Sequence, residues 1–109
     1  MGWEDKYRYH FLFDEGNLSY LEKSLRTKKV SLSELVSAFY DPNKLLFTTY
    51  PDPKTNEQRY SIVGISDENR LVVVIFVYRN DKIRIFNGWP LKKSKLKKAY
   101  LDNISKKIR

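Results

Sequence analysis

The chain has 109 residues, and its 21 lysines and arginines against 13 aspartates and glutamates give it a formal net charge of +8. This length fits one domain, and an aromatic content of 15% is too high for a disordered chain. Because there is no cysteine and only one histidine, His10, the composition excludes disulfide scaffolds, thiolate metal sites and multi-histidine metal sites, and we predict neither a metal nor a cofactor.

The first half of the chain predicts one strand and two helices. Aromatic residues make Tyr7–Phe13 a strand. Leucines at helical spacing then predict a short helix that ends at about Thr27. Ser31 and Glu34 have the spacing of a capping box, in which the hydroxyl accepts from the third helical amide and the glutamate reaches back to the cap. The second helix ends before Pro42, because a residue before proline avoids the helical region.

The second half changes to the two-residue period of strands and ends in a helix. Four strands are predicted, at Leu45–Tyr50, Arg59–Ile65, Leu71–Tyr78 and Ile83–Phe86. The last strand is expected to break at residues 87–90, which are typical of turns. Apolar residues every four positions make the tail, Leu91–Arg109, a helix. The order β-α-α-β-β-β-β-α predicts a single α+β domain over residues 1–109, a four-strand antiparallel meander packed by helices.

The positive charge is concentrated in the predicted C-terminal helix. Residues 1–90 hold 13 basic and 12 acidic side chains, whereas residues 91–109 hold eight basic side chains against Asp102 alone. Like charges at helical spacing repel each other by roughly 0.2–0.5 kcal/mol per pair. The cluster therefore favours contact with nucleic acid or with an acidic protein. The alternative is a solvated helix face that keeps a small basic protein soluble.

Neither a membrane partner nor a signal peptide is expected. The N-terminus is polar, and the longest apolar run, Leu71–Tyr78, is far shorter than the roughly 20 residues of a membrane helix. The apolar face of the C-terminal helix is needed to cover the sheet, which argues against a membrane surface. The predicted location is the cytoplasm.

An ordered set of short motifs resembles the BrnT family of bacterial toxins. The matching segments are Phe13 and Asp14, Val30–Glu34, Phe39–Pro42, Arg59–Gly64, Ser66 and Asp67, Arg70–Val74, and Ile83–Ile85. The resemblance implies a RelE-like fold and a type II toxin that cleaves RNA, either free or bound to the ribosome, and so inhibits translation. It also implies a hetero-oligomer with a neutralising antitoxin protein. Three features of the family pattern differ in this chain. The family's K-H-G before the V-S segment is replaced by Thr27, Lys28 and Lys29, the arginine of the closing I-S-A-R motif falls on Trp89, and a helical glutamate falls near Lys95.

Metal-independent RNA cleavage needs a base near the 2′-hydroxyl, cations for the phosphorane charge and a proton donor for the leaving oxygen. Planar guanidinium groups would hold the phosphate, and lysines crowded by other positive charges would act as base or acid. A tyrosine in the last helix would donate a proton or stack on a base. The predicted catalytic residues are Arg59, Arg84, Lys92, Lys93, Lys95 and Tyr100. The predicted RNA-binding residues are Lys97, Lys98 and Trp89.

Each assignment has a structural alternative. Arg59 and Arg84 are equally well explained as strand residues paired with carboxylates. Tyr100 shares the apolar stripe of its helix, which favours the core, and Trp89 would serve equally well as a cap over the core. For the whole chain, the alternative to an endoribonuclease is an inactive basic module of the same fold that binds nucleic acid or a partner protein. A third hypothesis is a protein that binds an acidic protein.

Overall fold

The computed structural model describes residues 10–13, 15–92 and 95–108, which form three helices and one antiparallel sheet. The elements are α1 (Glu15–Thr27), α2 (Leu32–Ala38), β1 (Leu45–Thr48), β2 (Tyr60–Ile65), β3 (Leu71–Arg79), β4 (Lys82–Pro90) and α3 (Lys95–Ile108). The strands lie in the order β1-β2-β3-β4, and each pairs antiparallel with its neighbour. The predicted α+β class with a four-strand meander is therefore confirmed. In the described part of the chain, no helix combines the length and the apolar character needed to cross a membrane.

Helices α1 and α2 cover the first face of the sheet. The core between these two helices and the sheet is built from the apolar positions of both helices and from alternate residues of the three longer strands. Its fully buried side chains include Leu25, Leu35, Phe39, Ile62, Val74 and Ile85. The helical spacing of leucines and the alternation of the strands in the sequence thus correspond to one apolar layer.

Helix α3 covers only one end of the second face. Leu96, Tyr100 and Ile104, four residues apart along α3, pack in a second apolar cluster with Val63 and Val73 at that end. Trp89 lies directly opposite Val73 in the β3–β4 pairing, and farther along the same two strands Arg84 lies opposite Val77. Because directly opposed residues of an antiparallel pair point to the same side, Arg84 lies on the face that carries α3, but beyond the cluster that α3 covers.

Strand β4 is longer than predicted. Phe76 pairs with Ile85 while its neighbour Ile75 pairs with Asn87, so Phe86 is an extra residue in a β-bulge. The bulge absorbs this residue and lets residues 87–90 rejoin the ladder, so the expected break after Phe86 is wrong. As a consequence, Trp89 is a strand residue and does not lie in a loop.

Three other boundaries also differ from the sequence-based expectation. Strand β1 ends at Thr48, because the chain turns into the loop of residues 51–58. Helix α3 begins at Lys95 and not at Leu91, whose amide instead bonds to the Leu71 carbonyl as a continuation of the sheet. The first predicted strand is represented by an isolated parallel bridge between Phe11 and Ile83. The rest of that prediction, residues 7–9, lies outside the described residues.

Gly64 occupies a close contact between β2 and the end of α2. A Cβ atom there would lie 2.9 Å from the Ala38 carbonyl oxygen, which belongs to the backbone and cannot rotate away. We expect Gly64→Ala to lower the free energy of unfolding by about 1–3 kcal/mol, and thermal unfolding measures this change. As a control, Thr48→Ala on exposed β1 should stay within about 0.5 kcal/mol of the wild type. A Gly64→Ala protein that melts with the wild type would contradict the contact.

Candidate active site

A cavity of about 240 Å³ opens at the end of the second sheet face that α3 leaves uncovered. We call it the arginine cavity, and its lining residues are Asp52, Glu57, Arg59, Val77, Arg79, Arg84 and Phe86. Of the residues that the structure describes, three with guanidinium groups and two with carboxylates line it. Among the described residues, no cluster of histidine and acidic side chains is arranged to hold a metal ion.

The β3–β4 hairpin places two of the three arginines. Asn80 and Asp81 both have positive φ, of 52° and 64°, which is the backbone of a two-residue turn whose twist matches that of the strands. This tight turn brings Arg79, at the end of β3, close to Arg84 on β4. The predicted hairpin turn at residues 79–82 is confirmed, and it is the local reason why both guanidinium groups reach one cavity.

The third arginine is fixed by the loop between β1 and β2. Arg59 Nη2 lies 2.6 Å from Asp52 Oδ2, and the Arg59 guanidinium stands 4.8 Å from the centre of the Phe86 ring. Asp52 Oδ1 accepts from the amides of Lys54 and Thr55, and these bonds, followed by Arg59, hold the pKa of Asp52 below its usual value. Asp52 therefore folds the loop and orients Arg59, as the ion-pair alternative predicted.

Glu57 is a cavity residue that the sequence analysis missed. Both of its oxygens accept from Arg79, at 3.0 Å from Nε and 3.0 Å from Nη2. These bonds and the charges of Arg79 and Arg84 hold the pKa of Glu57 below its usual value. One signal in the sequence could have pointed to it. In an extended segment, residues two apart share a side, so Glu57 and Arg59 were candidates for one site.

The lysines of the C-terminal segment do not line the arginine cavity in the described part of the chain. Lys92 is exposed before α3. In the first half of α3, the exposed lysines are Lys95, Lys97 and Lys98. Lys93 lies outside the described residues. The predicted site thus consists of two separate parts on one side of the sheet, a cavity rich in arginine and a helix rich in lysine.

Tyr100 lies in the core. Its side chain is only 1% exposed, and its hydroxyl donates to Asp41 Oδ2, which also accepts from the Ile65 amide. Burial, together with Asp41, raises the pKa of Tyr100. Tyr100 therefore fastens α3 to the turn after α2, and this placement fits the core alternative better than contact with RNA.

Trp89 also has a structural environment. It is half-buried beside the cluster of Val63, Val73 and Tyr100, and the Lys28 ammonium lies 5.8 Å from the centre of its ring. Lys28 in addition donates to the side-chain oxygen of Asn87. Trp89, where the resemblance expects an arginine, is thus an aromatic residue that packs beside the apolar cluster.

Arg70, the first residue of the matching segment Arg70–Val74, is a structural residue. It donates to both oxygens of Glu34 at 2.6 Å, and Ser66 Oγ donates to Oε2 of the same carboxylate at 2.7 Å. Ser31 Oγ accepts from the Glu34 amide, as the capping box predicted. The second half of that prediction is wrong, because the buried Glu34 carboxylate bonds to a guanidinium instead of reaching back to the cap.

The Glu34 ion pair predicts a pH dependence of stability. Hydrogen bonds from Arg70 are the main reason why the pKa of Glu34 lies below its usual 4.5. The ion pair thus stabilises the fold above pH 4.5, and this contribution is lost as the pH falls through the lowered pKa.

We expect Glu34→Gln to lower the free energy of unfolding at pH 7 by about 1–3 kcal/mol, less than for a fully buried pair because Arg70 is partly in water. Urea unfolding between pH 7 and pH 3 should show the difference from the wild type shrinking below pH 4.5. Glu22→Gln on exposed α1 is the control. A difference in unfolding free energy between the wild type and Glu34→Gln that does not change with pH would contradict a stabilising ion pair between Glu34 and Arg70.

The comparison with known families gives one match. A family model described as "Ribonuclease toxin, BrnT, of type II toxin-antitoxin system" matches residues 13–87, which is more than half of the chain. The match contains every residue of the arginine cavity and ends before Trp89 and α3. A comparison with curated proteins found no match.

Proposed function

Because the chain belongs to the BrnT family of type II ribonuclease toxins, we propose that it cleaves RNA in the arginine cavity and thereby inhibits translation. The proposed reaction needs no metal. The 2′-hydroxyl of one nucleotide attacks the adjacent phosphate, which leaves a 2′,3′-cyclic phosphate and a 5′-hydroxyl. The observation that carries the proposal is the meeting of three guanidinium groups in one cavity inside the matched region.

The cavity offers what a phosphorane requires. A guanidinium group has a planar set of donors that fits two phosphate oxygens at once. Arg84 on β4 and Arg59 before β2 both line the cavity, and the Arg59 guanidinium stands over the Phe86 ring. We assign Arg59 and Arg84 to phosphate binding and charge stabilisation, and the Phe86 ring is a surface on which a base can stack.

The lysines of the C-terminal segment would hold the rest of the RNA strand. Helix α3 lies on the same face of the sheet as the arginine cavity, and its exposed lysines provide positive charge along that face. Such contacts are independent of sequence and sensitive to salt. We assign Lys92, Lys95, Lys97 and Lys98 to RNA binding, and Lys93 and Trp89 remain candidates beside them.

The antitoxin and the ribosome belong to the proposal as partners. The family consists of ribonuclease toxins of type II toxin-antitoxin systems, which implies an RNA substrate and an antitoxin partner. We propose a hetero-oligomer of this chain with its antitoxin in the cytoplasm, and action on RNA that is free or bound to the ribosome.

The experiment that tests the function is cleavage of RNA by the purified full chain with and without EDTA. We expect equal cleavage in both conditions and fragments that end in a 2′,3′-cyclic phosphate. Induced expression should arrest growth, and co-expression of the antitoxin should restore it. Cleavage that requires a divalent metal, or fragments with a 3′-hydroxyl, would contradict the mechanism.

The binding module without catalysis is the second candidate function. The observation that favours it is Trp89, which packs on the core at the position of the family's arginine. This hypothesis predicts RNA binding that weakens steeply with salt, without any cleavage and without growth arrest that depends on Arg84.

A further inference from the structure

We propose that Glu57 is the general base of RNA cleavage, the group that takes the proton from the attacking 2′-hydroxyl. The inference rests on the proposed function, because it names the proton acceptor within the same arginine cavity. No lysine lines this cavity in the described part of the chain, and His10 is not among its lining residues. The acceptor must therefore be sought among the groups that do line it.

The chemistry of the lining leaves two groups that can accept a proton. The guanidinium groups of Arg59, Arg79 and Arg84 stay protonated in proteins and have no acceptor atom. Phe86 and Val77 have no polar side-chain atom. Among the described residues that line the cavity, only the two carboxylates, Asp52 and Glu57, have side-chain electron pairs that can accept a proton.

Asp52 has a structural role in its loop. Its Oδ1 accepts from two amides of its own loop, at 2.8 Å from Lys54 and 3.2 Å from Thr55, and its Oδ2 accepts from Arg59 at 2.6 Å. Protonation of Asp52 would loosen both the loop and Arg59. Asp52 therefore accepts three bonds from two amides and a guanidinium, which makes it the less available of the two carboxylates.

Glu57 has a different set of contacts. Its two oxygens each accept one bond from the half-exposed Arg79, and a carboxylate oxygen retains a second lone pair for a hydroxyl proton. The hydrogen bonds from Arg79, and then the charges of Arg79 and Arg84, hold the pKa of Glu57 below its usual value, so Glu57 is in its unprotonated form at neutral pH. The same charges stand where a phosphate would bind, so base and phosphate would be adjacent.

The proton balance is complete. The 2′-hydroxyl proton moves to a Glu57 oxygen while the 2′-oxygen forms a bond to phosphorus. The bond between phosphorus and the 5′-oxygen breaks, and this oxygen takes a proton from water. Glu57 then returns its proton to water, so the net reaction converts one phosphodiester into a cyclic phosphate and a 5′-hydroxyl with no change in oxidation state.

A purely electrostatic role for Glu57 makes the opposite prediction. If the carboxylate only competes with RNA for Arg79, its removal frees a cation and increases both RNA affinity and cleavage. If Glu57 is the base, its removal leaves RNA affinity equal or higher but stops the chemical step.

The test uses the purified full chain and a short fluorescent single-stranded RNA under single-turnover conditions. We expect Glu57→Gln to lower the cleavage rate about 100-fold or more at neutral pH. Its affinity for a 2′-O-methyl RNA of the same sequence should be unchanged or higher. The wild-type rate should fall at acidic pH, and this fall should be absent in Glu57→Gln. Glu57→Asp should retain part of the activity, and Glu22→Gln on α1 should match the wild type.

The possible results separate the two proposals. A wild type that cuts RNA together with a Glu57→Gln variant that cuts equally well or faster overturns the role of Glu57 alone. A wild type that binds RNA but does not cut it overturns the proposed function, and the role of Glu57 with it. Equal melting temperatures of the wild type and both Glu57 variants exclude misfolding as the cause of a lost rate.

Discussion

Arg84→Gln is expected to lower the rate of RNA cleavage about 100-fold while leaving the fold intact. Arg84 lines the arginine cavity from β4, where it lies opposite Val77 on the face that carries α3. Removal of one positioned donor to a developing negative charge typically costs a factor of about 100 to 1000 in rate. Glutamine keeps most of the length of the side chain but has neither the charge nor the planar fork.

The measurement is single-turnover cleavage by the variant, with induced growth arrest as the readout in cells. Arg84→Lys should fall between the wild type and Arg84→Gln, because lysine keeps the charge and loses the fork. Arg26→Gln, which removes an exposed arginine from α1, is the matched control and should cut at the wild-type rate. Full activity of Arg84→Gln would show that the arginine cavity takes no part in the reaction.

Neutralising three lysines of α3 is the second change with a large expected effect. Lys95, Lys97 and Lys98 are exposed in the first half of this helix. The triple change to glutamine should weaken RNA binding about 10-fold or more at low salt, and should reduce the slope of log affinity against log salt by about 2. Because glutamine and lysine have similar helix propensities, α3 should persist.

The measurement is a titration of fluorescent 2′-O-methyl RNA over a series of salt concentrations. The matched control changes three exposed basic residues at α1 and just after it, Lys23, Arg26 and Lys29, to glutamine. It should leave the salt slope close to that of the wild type. Equal slopes for both triple variants would mean that the charge of α3 acts only in solubility.

Local patterns in the sequence predicted those elements whose cause is local. Helix α2 begins at the Ser31 cap because a serine hydroxyl can accept from an amide three residues ahead. The continuous apolar run of residues 71–78 lies in β3, a central strand between β2 and β4 in which Val72, Val73, Val74, Phe76 and Val77 are buried. The uneven distribution of charge along the sequence likewise predicted a cluster of lysines on the last helix.

Features set by pairing between distant segments could not be predicted. The bulge at Phe86 depends on the register between β3 and β4, and no residue of β4 by itself indicates a bulge. Glu34 was assigned to its own helix cap because the sequence shows Ser31 three residues away but not Arg70 across the fold. Tyr100 was a candidate catalyst until the fold placed its hydroxyl against Asp41.

Only part of the candidate site could be predicted, because some of its residues are brought together only by the fold. Arg59 and Arg84 stand in motifs of the resemblance, so they could be named before the fold was known. Glu57 and Arg79 belong to the cavity only because the loop after β1 folds back against the β3–β4 hairpin. The resemblance expects an arginine at position 89, where the sequence has a tryptophan, and the structure packs that tryptophan against the apolar cluster under α3.

The most direct test of the site is a map of backbone amide chemical shifts on titration with 2′-O-methyl RNA, which binds but lacks the attacking hydroxyl. If RNA is held in the arginine cavity, the largest changes will occur at Arg59, Val77, Arg84 and Phe86, with smaller changes along the first turns of α3. Changes confined to α1 and α2, or to α3 without the cavity, would contradict the central claim that RNA is bound and cut in the arginine cavity.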